Sequence, residues 1–82
     1  MHVRVLYFAA VRELLGEREA AFTLPTAVRT IQDFRTHFVE CYPALRPWIA
    51  SVRIARNESF AELHERLHDG DVLALIPPVS GG

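Results

Sequence analysis

Asp69-Gly70-Asp71-Val72-Leu73-Ala74-Leu75-Ile76-Pro77-Pro78-Val79-Ser80-Gly81-Gly82 closes the 82-residue chain and decides how the rest must be arranged. Asp-Gly-Asp is tight-turn chemistry. The apolar run behind it, Val72 to Ile76, leaves no face for water and therefore reads as a central strand with Leu73 and Leu75 in the core. Pro77 and Pro78 end that strand because proline has no N–H to give a ladder. The last residues carry almost no side chain. Prolines favour extended polyproline geometry and glycines make the thinnest possible chain, so positions 77–82 read as a narrow tail leaving a domain that spans positions 1–76.

Working outward, His2 to Phe8 is rich in β-branched and aromatic residues. It reads as a strand with Val3, Val5 and Tyr7 on one face and Leu6 and Phe8 on the other. Ala9 to Leu15 is a short helix closed by Gly16 at a position that needs positive φ. Glu17 to Leu24 is a second strand, with Ala20, Phe22 and Leu24 on one face, stopped by Pro25. From Thr26, read as the N-cap, Val28, Ile31, Phe34 and Phe38 recur at helical spacing, and Pro43 and Pro47 forbid a helix beyond about Tyr42. Ser51 to Asn57 alternates again and puts Val52 and Ile54 inward. A mixed sheet covering the stripe of one long helix satisfies this pattern, with the first and last strands parallel at the centre. The expected fold class is an α+β β-grasp. In this register Phe8 and Ile76 lie next to each other on the face away from the helix, exposed apolar residues that mark a docking patch.

Composition removes several functions. Nine basic and ten acidic residues leave a net charge of -1, so no concentrated positive stripe exists to release nucleic-acid counterions, and no nucleic-acid partner is expected. Apolar runs fall well short of the roughly 20 residues a membrane span requires, and the N-terminus lacks a signal-peptide pattern, so no membrane is expected and the cytosol is the default compartment. Every basic residue is an arginine. The four glycines cannot build a phosphate-cradling loop, so the chain has no nucleotide site of its own. Cys41 cannot form an internal disulfide and, read as lacking a partner thiol or an adjacent histidine, is expected to be structural filler.

His64-Glu65-Arg66-Leu67-His68 matches H-E-x-x-H, in which two imidazoles on one helical face bind zinc while the glutamate activates water. The turn at Asp69 follows at once and no later histidine supplies a third ligand. No metal is expected, and Phe60 to His68 is read instead as a solvated helical turn opened by a Ser59-x-x-Glu62 capping box. His2 and His37 carry no metal reading either.

The F-A-x-V-R-E-L-x-G segment from Phe8 to Gly16, Asn57 after the third strand, and the D-G-D to P-P-V-S-G-G ending together resemble the small, sulfur-carrying subunits of molybdopterin synthase, a ubiquitin-like family. The resemblance runs from end to end. It departs at the longer Cys41 to Ile49 connector and at Phe60 to His68. The resemblance implies that an ATP-dependent adenylating enzyme activates Gly82 and that a sulfur donor protein converts it to a thiocarboxylate. It further implies that the tail enters the large synthase subunit, in a heterotetramer, and gives sulfur to cyclic pyranopterin monophosphate. The chain binds no cofactor and is not catalytic alone; ATP belongs to the activating partner. Gly82 is then the reacting residue. The partner-binding set is Phe8, Arg12, Ile76, Pro77, Pro78, Val79, Ser80 and Gly81, with Arg12 able to pair with acidic groups. Two other readings stay open: a carrier or modifier serving thiamine synthesis, transfer-RNA thiolation or isopeptide tagging, and a zinc hydrolase using His64, Glu65 and His68. Without side-chain amines, an activated terminus also could not acylate other copies of the same chain.

Overall fold

The computed structural model describes residues 1–78; the tail positions Val79, Ser80, Gly81 and Gly82 lie outside the described residues. In chain order the elements are β1 (His2–Tyr7), α1 (Ala9–Leu15), β2 (Glu19–Thr23), α2 (Ile31–Cys41), two short 3-10 turns (Pro43–Leu45 and Ile49–Ser51), β3 (Arg53–Arg56), β4 (Ser59–Phe60) and β5 (Val72–Ile76). The five strands form one sheet in the order β2-β1-β5-β3-β4. β1 and β5 pair in parallel at its centre, and every other neighbour is antiparallel. The sheet is the mixed β-grasp that the alternation required.

Among the described residues there are two α-helices, and the longer, α2, supplies Ile31, Phe34 and Phe38 to the core beneath the sheet. Ile31, Phe34 and Phe38 from α2 meet Val3, Val5, Tyr7, Ile54, Leu73 and Leu75 in one buried cluster. Phe38 is its aromatic hub, with ring centroids at 6.0 Å from Tyr7, 5.5 Å from Phe22 and 4.9 Å from Tyr42. Tilted and edge-on rings at such spacings contribute about 0.5–1.5 kcal/mol per pair beyond burial. Among the described residues the buried Tyr7 hydroxyl has no hydrogen-bond partner, and burial pushes its ionisation well above the ordinary phenol range.

Three expectations about local structure are overturned. The N-cap of α2 is Thr30 and not Thr26. Asp33 N–H donates to Thr30 Oγ1 at 3.1 Å, while the Asp33 carboxylate accepts from the backbone N–H of Thr30 and Arg29 at 3.2 and 3.0 Å. Those bonds hold the Asp33 carboxyl below its usual range. Thr26 has Arg29 three residues on, which cannot accept, so it cannot close the same reciprocal box.

Phe60 to His68 is not helical either. Ser59 and Phe60 form β4, and the chain then runs beside the start of α2, where Leu63 and Glu65 carbonyls accept from Gln32 and Ile31 N–H at 2.9 and 3.0 Å. These carbonyls satisfy helix-end donors that have no intrahelical partner, so the segment cannot spend them on a helix of its own. The Glu65 carboxylate, not Ser59, makes the local cap, accepting from Glu62 N–H at 2.6 Å. Strand edges move as well: β2 begins at Glu19 and β3 at Arg53, because Ile49 to Ser51 is spent on a 3-10 turn.

Candidate functional site

Side chains alternate across a strand, so the residues that do not face α2 must face the other way. Leu6, Ala74 and Ile76 from the two central strands, Ala55 from β3 and Phe60 from β4 line a concave outer face of about 670 Å³, with Phe8, Val72, Asn57 and Glu58 around it. No element of the described residues covers it. Its floor is low because Ala74 pairs with both Leu6 and Ala55, and its rims are high because Phe8 and Phe60 stand 40% and 56% exposed. The Arg53 guanidinium lies 3.9 Å from the Phe60 ring centroid, a cation–π contact that puts positive charge at the edge of an apolar trough.

Phe8 is placed by strain. Phe8 N–H donates to Leu75 C=O at 3.3 Å, extending the parallel pairing, and Ala9 then takes φ +47° to swing α1 off the sheet. A left-handed residue other than glycine costs roughly 1–2 kcal/mol, and the β1–β5 pairing on one side and α1 on the other hold it there. Gly16 ends α1 at φ +75°, as expected for a left-handed cap. The tail root, Pro77 and Pro78, lies on the α1 side of the same pole.

The Asp-Gly-Asp motif and Asn57 sit at the opposite end of β5 and prepare that strand. Asn57 and Glu58 take φ of +51° and +73°, making the tight β3–β4 turn. The Asn57 side chain accepts from Val72 N–H and donates to Asp71 Oδ1, both at 2.9 Å, while its backbone N–H donates to Val72 C=O at 2.8 Å. Asp71, 5% exposed, also accepts from His68 N–H at 2.7 Å and lies 3.7 Å from Arg56 Nη1. Gly70 adopts φ +88° and donates to His2 C=O at 2.7 Å, closing the turn on β1.

The sequence-read positions are therefore sorted as follows. Phe8 and Ile76 share the outer trough, as their register required. Pro77 is half-buried and Pro78 exposed. Arg12 spends its Nε–H on the Tyr7 carbonyl at 3.4 Å, so part of its guanidinium ties α1 to β1. Cys41 is exposed rather than packed, and His37, one helical turn earlier, brings Nε2 to 3.6 Å from its sulfur, correcting the reading that no histidine was adjacent. In the H-E-x-x-H stretch the Glu65 carboxylate is held by Glu62 N–H and Arg56, which keep it more acidic than an ordinary glutamate, and no helix aligns His64 with His68. Phe60 was missed; the signal available was Asn57, which tolerates positive φ and so announces a hairpin.

A small β-grasp sheet with an apolar trough on its outer face, beside the end of its last central strand, defines the ubiquitin-like fold class. Residues 5–82 match the model of the ThiS family. The molybdopterin synthase sulfur carrier subunit of Chlamydomonas reinhardtii is 36% identical over 84 residues, covering 100% of both chains. The corresponding subunit of Mycobacterium tuberculosis is 40% identical over 83 residues, covering 98% of this chain and 96% of the relative. Among solved structures, the SAMP1 protein of Haloferax volcanii superposes with a TM-score of 0.83 at 30% identity over the whole of both chains. A protein–protein complex of subunits 1 and 2 of the molybdopterin-converting factor of Helicobacter pylori includes a chain matched at TM-score 0.72 and 28% identity, again over the whole of both. The chain belongs to the ThiS family, together with the sulfur carrier subunits of molybdopterin synthase that it matches along their length. No helix among the described residues is long and apolar enough to cross a membrane, and they contain no cluster of three metal-ligating side chains.

Proposed function

We propose that this chain is the sulfur carrier subunit of a molybdopterin synthase, working in the cytosol, with Gly82 as the residue that bears the sulfur. The observation that carries the reading is the uncovered trough of Leu6, Phe8, Ala74, Ile76 and Phe60 at the strand end from which the tail departs. The full-length match to relatives bearing that name supports it.

The chemistry suits a thin terminus. A carboxylate is a poor electrophile, so an adenylating enzyme first joins Gly82 to AMP, releasing pyrophosphate from ATP. A persulfide or sulfide donor then attacks the acyl carbon and AMP leaves with its bonding pair. A sulfide donor leaves the thiocarboxylate directly; a persulfide donor leaves an acyl disulfide, which a second thiol cleaves by forming a disulfide with the donor sulfur and releasing the thiocarboxylate, whose ionised sulfur is a soft nucleophile toward the pterin precursor. After transfer, water restores the carboxylate. Pro77 and Pro78 favour extended backbone, and Gly81 and Gly82 carry no side chain to obstruct entry to a narrow site. Phe8, Ile76 and Phe60 dock the large subunit, two carriers serve a heterotetramer, and Val79 and Ser80 belong to the partner-binding set.

Incubation with ATP, the adenylating enzyme and a sulfur donor should raise the intact mass by about 16 Da, oxygen being replaced by sulfur. The product should convert cyclic pyranopterin monophosphate in the presence of the large subunit. No mass gain, or sulfur accepted only by a thiamine precursor or a transfer RNA, refutes the assignment. A protein-modifier reading is favoured by the likeness to small archaeal modifier proteins; isopeptide adducts on other proteins in the same incubation would establish it.

A further inference from the structure

A second apolar groove lies on the α1 side of the tail root. Its volume is about 310 Å³, and Val11, Leu14, Leu45, Trp48, Val52, Pro77 and Pro78 supply its apolar walls. Two of those residues stand far out of the core, Leu14 at 43% and Trp48 at 57% exposure. Trp48 is set in place by a chain of turns: Trp48 N–H donates to Leu45 C=O and Ser51 N–H to Trp48 C=O, both at 2.9 Å. The Trp48 backbone is thus held on both sides while its indole stands open to water, the kind of aromatic side chain that anchors interfaces. Among the described residues, Glu13 is the only charged one lining the groove.

We infer that this groove is a second docking face for the large subunit, gripping the tail root from the side opposite the outer trough. The inference rests on the proposed function and deepens it. The physical reason is reach. Six residues, 77–82, span at most about 20 Å when fully extended. To deliver Gly82 into an enclosed site, the partner must bring its surface up to Pro77, since every ångström of gap is lost from the insertion depth. The surface around Pro77 comprises the trough on one side, continuous through Ile76, and this groove on the other. A partner that abuts the root covers both. The complementary segment is apolar, fills the space between Leu14 and Trp48, and carries an arginine or lysine opposite Glu13.

Trp48 is the only tryptophan of the chain, so it reports on the groove directly. The chain is labelled with 5-fluorotryptophan and titrated with its cognate large subunit while the fluorine resonance is followed. The dissociation constant is measured in parallel for wild type, Trp48→Ala and Leu14→Ser. Both side chains are exposed, and circular dichroism checks that the variants keep the wild-type melting midpoint. The expected result is a resonance shift that saturates with complex formation, and at least tenfold weaker binding for each variant. Wild-type affinity in both variants with an unmoved resonance overturns the inference while leaving the proposed function intact, provided wild type forms the complex; if it forms none, both fall. A resonance that differs between the free full chain and one truncated after Pro78 assigns the groove to residues 79–82 and refutes the docking role. A concentration-dependent shift without partner assigns it to a second copy, and a shift only with the adenylating enzyme assigns it to that protein; either refutes it equally.

Discussion

Replacing Phe8 by alanine tests whether the outer trough holds the large subunit. Phe8 is 40% exposed; a phenylalanine presents roughly 200 Å² when fully open, so about 80 Å² of ring remains for a partner to cover. At about 25 cal/mol per Å² that area corresponds to about 2 kcal/mol, or roughly a 30-fold rise in dissociation constant. The fold should tolerate the change. Phe8 is the N-cap of α1 but makes no side-chain cap bond, and its backbone bond to Leu75 is unaffected. Isothermal titration against the large subunit gives the affinity, and a thermal melt monitored at 222 nm gives the stability. An affinity within about threefold of wild type, well short of that 30-fold estimate, would refute the assignment of the trough as a docking face. A melt lowered in proportion to the affinity loss would show instead that Phe8 acts through the fold.

Other expectations follow from the same geometry. Deleting Gly82 should abolish the mass gain of about 16 Da and all sulfur transfer, and Gly81→Ala should slow transfer by crowding the tail; single-turnover assays read both. Asp71→Ala removes the acceptor shared by Asn57, His68 N–H and Arg56, costing about 2–3 kcal/mol, or roughly 10–20 °C in melting midpoint for a domain of this size. In acid, the depressed carboxyls of Asp33 and Glu65 define the loss: each favours the folded state above its ordinary value of 3.8 or 4.5, and that contribution disappears as pH falls through the lower folded values. Melts of wild type and Asp33→Asn should therefore differ at neutral pH and converge at the lowest pH. Arg53 pairs with Ile76 beside the tail root; Arg53→Lys places a nucleophilic amine there, and activation with ATP and the adenylating enzyme should yield adducts lighter by one water than the sum of their parts. Their absence in intact-mass spectra would remove any protective role for the lysine-free composition.

What the sequence alone determined was whatever depends on near neighbours along the chain. Alternation in His2 to Phe8 and the unbroken apolar run Val72 to Ile76 could be satisfied only by central strands, and the Ile31, Phe34, Phe38 stripe only by a helix laid over them; Val28, read as part of that stripe, precedes the helix. Phe8 and Ile76 then fell on the open face by the period of a strand. The end of β5 at Ile76 was legible because Pro77 has no N–H to give the ladder.

Tertiary structure decided the rest, because it decides which backbone groups are already engaged. Ser59-x-x-Glu62 has the letters of a helix start, but the carbonyls of Leu63 and Glu65 are taken by the first N–H groups of α2, so that segment stays extended and Phe60 becomes a rim of the trough. The groove between Leu14 and Trp48 joins α1, the 3-10 turns and the tail root, segments far apart along the chain, and no local pattern contains it. It exists only because parallel pairing of β1 with β5 brings the start of α1 and the root of the tail to the same pole of the sheet.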